Sequence, residues 1–264
     1  MKIDLLNTLN KVIFLVQQIR FNIKAQLMSI KKVICIIYFY SSFLVGLSYI
    51  DAASLISGEN LALSIRNSIP SENISIDASM EVTLKNRKRI KTALTIETKL
   101  LGKDEFLTIY KTKLEKNCTI WKIRRKKGNP NVYHVEQAKK DPENKQNLYL
   151  ALADSSFTLA DFGLEFLHWP NQKTIRKQRR KSRLCNVLES KPTKAIKVEY
   201  SRVLSWVDEK SGAILAADFF DLNGEILKRF SVKGLTKKMG QWQVDEIEMR
   251  HLKDGTKSRL KLNY

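Results

Sequence analysis

What this sequence has little of narrows it first. Its 264 residues hold three cysteines and three histidines. Cys35, Cys118 and Cys185 form no CxxC pair, and His134, His168 and His251 stand singly, with no partner at metal-ligand spacing. There is no glycine-rich loop to cradle a phosphate and no GxSxG elbow to expose a nucleophilic serine. The Asp and Glu residues are scattered over turns and polar strand faces, so no pair is set apart for glycoside chemistry. These absences argue against a zinc enzyme, a P-loop hydrolase and a serine hydrolase. The expectation is a non-enzyme with no cofactor and no metal.

Acid is scarce as well: 27 Asp and Glu face 47 Lys and Arg, a net charge of +20. Six Lys/Arg and two Asp/Glu fall in the first 53 residues, which leaves +16 on the remainder. A charge of that size favours polyanionic neighbours such as nucleic acid or an anionic membrane surface, and it equally describes a solvated, soluble face. The densest basic run is KTIRKQRRKSR, Lys173 to Arg183, with seven Lys/Arg in eleven residues. It reads as a docking strip for acidic lipid or as an edge hairpin whose charges block strand-to-strand aggregation. No aromatic is interleaved in it, which argues against single-stranded nucleic acid.

From Met28 the chain reads MSIKKVICIIYFYSSFLVGLSYIDAAS. Lys31 and Lys32 precede a 15-residue apolar run, Val33 to Leu47, and small residues follow at Ser48, Ala52 and Ala53. That is the order of a secretory signal peptide, and an export signal argues further against nucleic acid as a partner. The alternative is an uncleaved anchor, because Val33 to Ile50 nearly reaches spanning length. No cysteine just after the apolar run offers a lipid-attachment box. Three segments are expected: an N-terminal extension at 1–27, which a start at Met28 would explain; a signal peptide at 28–53; and one domain over 54–264. Periplasmic localisation follows, or membrane anchoring through Val33–Ile50. Export would permit a disulfide between Cys118 and Cys185; two separate buried thiols are the other reading.

Past the signal, helical spacing places Leu55, Ala62, Ile65 and Ile69 on one stripe, ended by Pro70. The period then changes. In NISIDASMEVTL the even positions Ile74, Ile76, Ala78, Met80, Val82 and Leu84 are apolar and the odd ones from Ser75 to Thr83 polar, which predicts a strand with one dry and one wet face. Short strands separated by turns such as KNRKR, GKD, DEKSG, LNG and KDG continue to Tyr264, about eleven in all, with a polar loop predicted at Lys139–Gln146. One insertion, FTLADFGLEFLHWP, reads as a short helix, with Thr158 and Asp161 as N-cap and third-position acid and Pro170 as its stop. The fold class predicted is mainly β: an antiparallel meander curled into an incomplete barrel, with an N-terminal helix and a short inserted helix as lid or plug.

The stretches FTLADFGLEFLHWPNQ, LCNVLES, YSRVLSWVDEKSGAILAADFFDLNGEILKRFSV and GQWQVDEIEMRHLKDGTKSRLKLNY together resemble the outer-membrane lipoprotein-sorting proteins of the LolA-like superfamily, in their Verrucomicrobia-type form. The likeness is clearest from Phe157 to Tyr264. It implies an incomplete β-barrel wrapped around helices, with a hydrophobic cavity for lipoprotein acyl chains or lipid. Under that resemblance the groove or lid candidates are Leu55, Ile65, Ile69, Met80, Phe162, Phe166 and Trp169. The partner expected is a lipid or lipoprotein acyl chain, with Lys173–Arg183 able to meet an anionic membrane surface and the protein a monomer. The alternative from another class is an envelope structural or interaction module built on a filled barrel.

Overall fold

The structure is a computed structural model that describes residues 55–113, 118–137, 148–193, 199–238 and 241–264, all within the unit Leu55–Tyr264. The expected extension, signal peptide and polar loop at 139–146 lie outside the described residues. Two meanders build the fold. The first comprises β1 (Ile74–Thr83), β2 (Arg89–Gly102), β3 (Glu105–Thr112), β4 (Thr119–Lys126) and β5 (Val132–Gln137). The second comprises β6 (Asn171–Arg180), β7 (Arg183–Lys191), β8 (Arg202–Asp208), β9 (Ile214–Phe220), β10 (Ile226–Lys238), β11 (Gln241–His251) and β12 (Lys257–Asn263). Pairing of β1 with β12 merges them into one open antiparallel sheet of twelve strands, in the order β5-β4-β3-β2-β1-β12-β11-β10-β9-β8-β7-β6. The count exceeds the expected eleven: β5, short enough in sequence to pass for a fragment, pairs with β4 along its whole length as an edge strand.

Alternation holds where β1 is flanked on both sides: Ala78, Met80 and Val82 are buried, while Ser79, Glu81 and Thr83 are partly exposed. It fails at Ile74, which is 39 % exposed, because pairing with β12 begins only at Asp77 and leaves the first residues of β1 with β2 alone. The strands β5 and β6 follow each other in the chain yet lie at opposite edges, so the segment between them must cross one face of the sheet. It carries α2 (Leu159–Gly163) and a 3-10 turn (Glu165–His168). Phe162 meets Tyr110 of β3 at 4.6 Å between ring centroids, and Phe166 meets Phe219 of β9 at 5.8 Å. On a flat sheet β3 and β9 would stand about 29 Å apart. Two residues only four positions apart in the chain reach both, so the sheet is curled around the segment, as expected of an incomplete barrel. Register shifts in β6, in the pairing of β8 with β9, at the start of β10 and around Gly234 concentrate the curl in the second meander.

The helix α1 (Gly58–Arg66) is shorter than the predicted run. Ser57 caps it, its side chain accepting from the Asn60 N–H, and Asn67 closes it. The buried stripe is therefore Gly58, Leu61 and Ala62, with Ile65 half-buried. Leu55, 42 % exposed, and Ile69 lie outside the helix, which corrects the predicted stripe. Spacing of 0, 3, 4 and 7 from Gly58 is as good a helical face, but glycine does not announce itself as a contact residue. A Cβ at Gly58 would lie 2.5 Å from the backbone of Gln172, so glycine lets α1 lie directly on β6. In α2 the predicted capping box is present: Thr158 accepts from the Asp161 N–H and Asp161 from the Thr158 N–H. The helix ends sooner than predicted, since Leu164 takes a left-handed conformation at φ 52°. Gly163 is held there because a Cβ would collide with the Tyr133 hydroxyl at 2.1 Å.

The main core joins both meanders through the crossing segment and includes Met80, Leu94, Trp121, Phe157, Leu188, Val203 and Leu260. A second, smaller core forms on alternate positions of β7 and β8, where Cys185, Val187 and Trp206 pack with Leu215 and Val232. Cys118 and Cys185 are both free thiols.

Candidate functional site

The curled face is not filled everywhere. Between the crossing segment and β9–β11 lies a cavity of about 320 Å³, at the small end of ligand-site volumes. Its roof is Ile65 of α1 with Phe157, Phe162, Leu164 and Phe166; its floor is Ile214, Ala217, Phe219, Phe230, Ile247 and Met249. Strand register explains the floor: Ala217, Phe230 and Met249 stand directly opposite one another across three strands, so they share a face. In that row the short side chain of Ala217 leaves room. Gly212 and Ala213, exposed in the β8–β9 turn, mark where the cavity reaches the surface.

Asp161 is the one ionisable group in the lining. Its carboxylate accepts from the Tyr200 hydroxyl at 3.0 Å and from the Thr158 N–H at 2.9 Å. The Lys228 ammonium donates to the Tyr200 oxygen at 2.9 Å and lies 3.8 Å from Asp161 and 3.6 Å from Glu199. Burial pushes the Asp161 carboxyl up, against the pull of Lys228 and the Thr158 and Tyr200 hydrogen bonds. Burial and the Asp161 charge push the Tyr200 hydroxyl well above its ordinary value. Every member of this buried set has a partner, which is the condition for keeping such groups out of water at tolerable cost. The set ties α2 to β10, and it gives an otherwise apolar slot one polar end.

A second tie holds α1. Burial, aided by the charges of Arg66 and Arg125, lowers His168 to about 4, so its ring is neutral near pH 7. The Arg66 guanidinium can only donate, so His168 Nδ1 accepts at 3.3 Å and the ring proton sits on Nε2. Arg125 donates to the Phe162 carbonyl, and Asn131 to that of Gly163.

Of the residues expected from the sequence, the structure brings Ile65, Phe162 and Phe166 together around the cavity. Met80 and Trp169 are buried in the adjoining core and do not line it. Leu55 and Ile69 lie away from the lining. Missed were the floor residues and the Asp161–Tyr200–Lys228 set. The signal for the latter was a lysine at an inward position, two residues before Phe230 on β10. Among the described residues no three His, Cys, Asp or Glu side chains are placed to hold a metal ion, and no helix is long and apolar enough to cross a membrane. In the basic hairpin β6–β7, Lys177 pairs with Glu209 and Arg183 with Asp208, and Arg180 lies over the Trp206 ring at 4.2 Å.

A family model described only as an uncharacterized protein matches residues 102–264. No curated protein matches the chain. Among solved structures, a DUF1329 family protein from Desulfovibrio piger is 16 % identical, with a TM-score of 0.63 over 78 % of this chain and 90 % of that one. A domain described as an outer membrane lipoprotein-sorting protein, from Vibrio parahaemolyticus, is 13 % identical with the same TM-score and the same coverage. A LolA superfamily protein from Nitrosomonas europaea is 15 % identical, at 0.51 over 79 % and 92 %. At these identities the likeness is one of fold, and the fold is LolA-like.

Proposed function

The chain belongs to that family of uncharacterized proteins, and we propose that this member is a non-catalytic periplasmic carrier or sorting factor that holds an acyl chain, of lipid or lipoprotein, in the cavity over β9–β11. The observation that carries the reading is the cavity: about 320 Å³, apolar but for Asp161, and roofed by short helical pieces. Each methylene taken from water contributes about 0.8 kcal/mol, so a dry slot supplies affinity without any reacting group. The LolA-like fold supports the same reading, as does the signal expected at 28–53. Ile65, Phe162 and Phe166 act as groove residues; Met80 and Trp169 support the walls from behind.

A scaffold on a filled barrel is the second reading, and the aromatic packing beneath β3 and β4 favours it. Mass spectrometry of the organic extract of the full chain from its native envelope separates the two, together with uptake of a fluorescent fatty acid after delipidation. Co-purified acyl lipid and saturable uptake are expected; an empty extract and no uptake would sink the carrier reading. Ile65→Asp sharpens the test. It should loosen the roof and raise binding of a hydrophobic dye, with β-structure retained by circular dichroism. Global unfolding with no dye-binding folded species would favour the scaffold.

A further inference from the structure

On the sheet's outer face, two adjacent rows of side chains run across the strands two residues apart. One row reads Lys91, Glu81, Arg259, Glu248, with opposite charges facing each other at every step. That is the arrangement cross-strand pairing favours. The other reads Arg89, Thr83, Lys257, Arg250, Arg229, Asp218; in it Lys257 stands directly opposite Arg250 and Arg250 directly opposite Arg229, and the row ends where Arg229 donates to the Asp218 carboxylate at 2.7 and 3.3 Å. Like charges placed so weaken a sheet. Glu248, only 1 % exposed, is shared by four cations: Arg250 at 2.7 Å, Arg259 at 2.8 Å, and Lys233 and Lys257 at 3.3 Å. With Glu246 adding a second carboxylate at 3.5 Å from Arg259, the cluster still keeps a surplus of positive charge.

The like-charged row runs along one end of the sheet, where three turns meet. A Cβ on Gly255 of the β11–β12 turn would lie 3.6 Å from Lys85 of the β1–β2 turn. Lys253 of the first is paired with Asp221 at the β9–β10 turn. The β1–β2 turn adds Lys85, Arg87 and Lys88, all exposed like Arg89, and among the described residues none of these four has an ion-pair partner. The acids at this end, Asp221, Glu225 and Asp254, gather around Lys253 and His251. Between the rows a polar cavity of about 340 Å³ is bounded by Arg89, Lys91, Lys257 and Arg259, with Glu81 and Thr83. Two of the turn tips carry leucine instead of a polar residue: Leu222 is 76 % exposed and Leu252 46 %.

We propose that this end of the sheet docks on an anionic bilayer leaflet, lipid phosphates meeting Lys85, Arg87, Lys88 and Arg89 with the row cations Lys257 and Arg250 behind them, while Leu222 and Leu252 enter the acyl boundary. The cations alone would suit any polyanion. The leucines choose the bilayer, since an apolar tip beside basic residues gains only where hydrocarbon lies behind the charge. This end is a second basic face, in addition to the expected strip Lys173–Arg183, in which, among the described residues, only Lys177 and Arg183 meet carboxylates. The inference stands independently of what the cavity binds.

The test is co-sedimentation of the full chain with vesicles of phosphatidylglycerol and phosphatidylethanolamine, against vesicles of phosphatidylcholine alone. Binding to the anionic vesicles should be at least tenfold stronger and should fall as salt rises. Reversal of the turn (Lys85→Glu, Arg87→Glu, Lys88→Glu) should weaken it more than tenfold. Leu222→Asp should weaken it several-fold without changing binding to heparin, a polyanion with no hydrocarbon. Arg176→Glu with Arg179→Glu, in the other basic region, should change little. Circular dichroism and the melting temperature of each variant report that it is folded. Equal binding to both vesicle types overturns the proposal. So does a Leu222→Asp protein that binds anionic vesicles as well as the original, which would make the face a site for soluble polyanions, and so does loss of binding only in the Arg176/Arg179 variant.

Discussion

Beneath β3 and β4 the crossing segment finds its space taken. Phe162 stacks against Phe157 at 5.2 Å, with Tyr110 at 4.6 Å and the edge of Trp121 at 6.4 Å, and Trp121, Ile123 and Leu94 are out of contact with water. Beneath β9–β11 the same segment leaves about 320 Å³ open over Ala217. One sheet and one crossing segment thus make a filled wing and a hollow one. Protein interiors pack as densely as organic crystals, so a void of this size calls for an occupant. The difference also divides the two readings of function: the filled wing alone would be a scaffold, and the hollow wing is what a carrier needs.

The largest effect should come from the filled wing. Trp121→Ala should cost about 3–5 kcal/mol in denaturant unfolding, because the neighbouring rings cannot collapse into the space. Trp121→Phe should cost far less, since the indole N–H is buried without an acceptor among the described residues. If Trp121→Ala were nearly neutral, the two wings would not differ in packing. The hollow wing should respond in the opposite sense. A new ring in a packed core costs about 1–3 kcal/mol; Ala217→Phe should instead enter existing space, leave the melting temperature within a few degrees, and lower fatty-acid uptake at least tenfold. Undiminished uptake would mean that this cavity is not where the chain binds.

With less packing inside, the hollow wing leans more on its outer face, and acid should find it first. Burial alone would raise the Glu248 carboxyl, but hydrogen bonds from Arg259, Arg250 and Lys257 and the charge of Lys233 lower it from 4.5 to about 2. A carboxyl with a depressed folded pKa contributes stability that is present above its unfolded value and lost as pH falls through the folded one. Unfolding free energy should therefore decline between about pH 4.5 and pH 2. In Glu248→Gln the decline should be shallower from a lower plateau. An identical slope in both proteins would remove Glu248 from the explanation.

How far this could be read from the chain differs with the range of the interactions. Period and capping are local, so the face of β1 around Met80 and the Thr158–Asp161 box were legible. The pairing of β1 with β12 is not local: Glu81 faces Arg259 across nearly the whole domain, and no turn chemistry announces it. Nor does anything local announce that β5 and β6 end at opposite edges, which alone sends α2 across the face. The cavity depends on a small residue in a particular row, and Ala217 reads in sequence as an ordinary strand position. Tyr200 and Lys228 meet Asp161 only once the sheet has curled.

The smallest effect lies at the seam between the wings, on neighbouring residues of β1. Met80 points into the shared core and has no exposed surface. Met80→Asp, the contrast for that smallest effect, would bury an unpaired charge and should cost several kcal/mol, on the scale of Trp121→Ala. Glu81 points the other way, within 3.1 Å of Lys261 and 3.9 Å of Lys91. Both pairs are partly exposed and therefore contribute about 0–1 kcal/mol each. Glu81→Lys removes them and sets a lysine between Lys91 and Arg259, its cross-strand neighbours. The row then becomes like-charged in the manner of its neighbour, at a further cost of a few tenths of a kcal/mol, on the order of what such pairs are worth. The melting temperature should fall by about 2–4 °C for a domain of this size, and added salt should recover part of the loss by screening the new repulsion. A fall matching that of Met80→Asp would mean that both residues face the core. The one-residue difference in facing would then be wrong, and with it the assignment of either wing's interior.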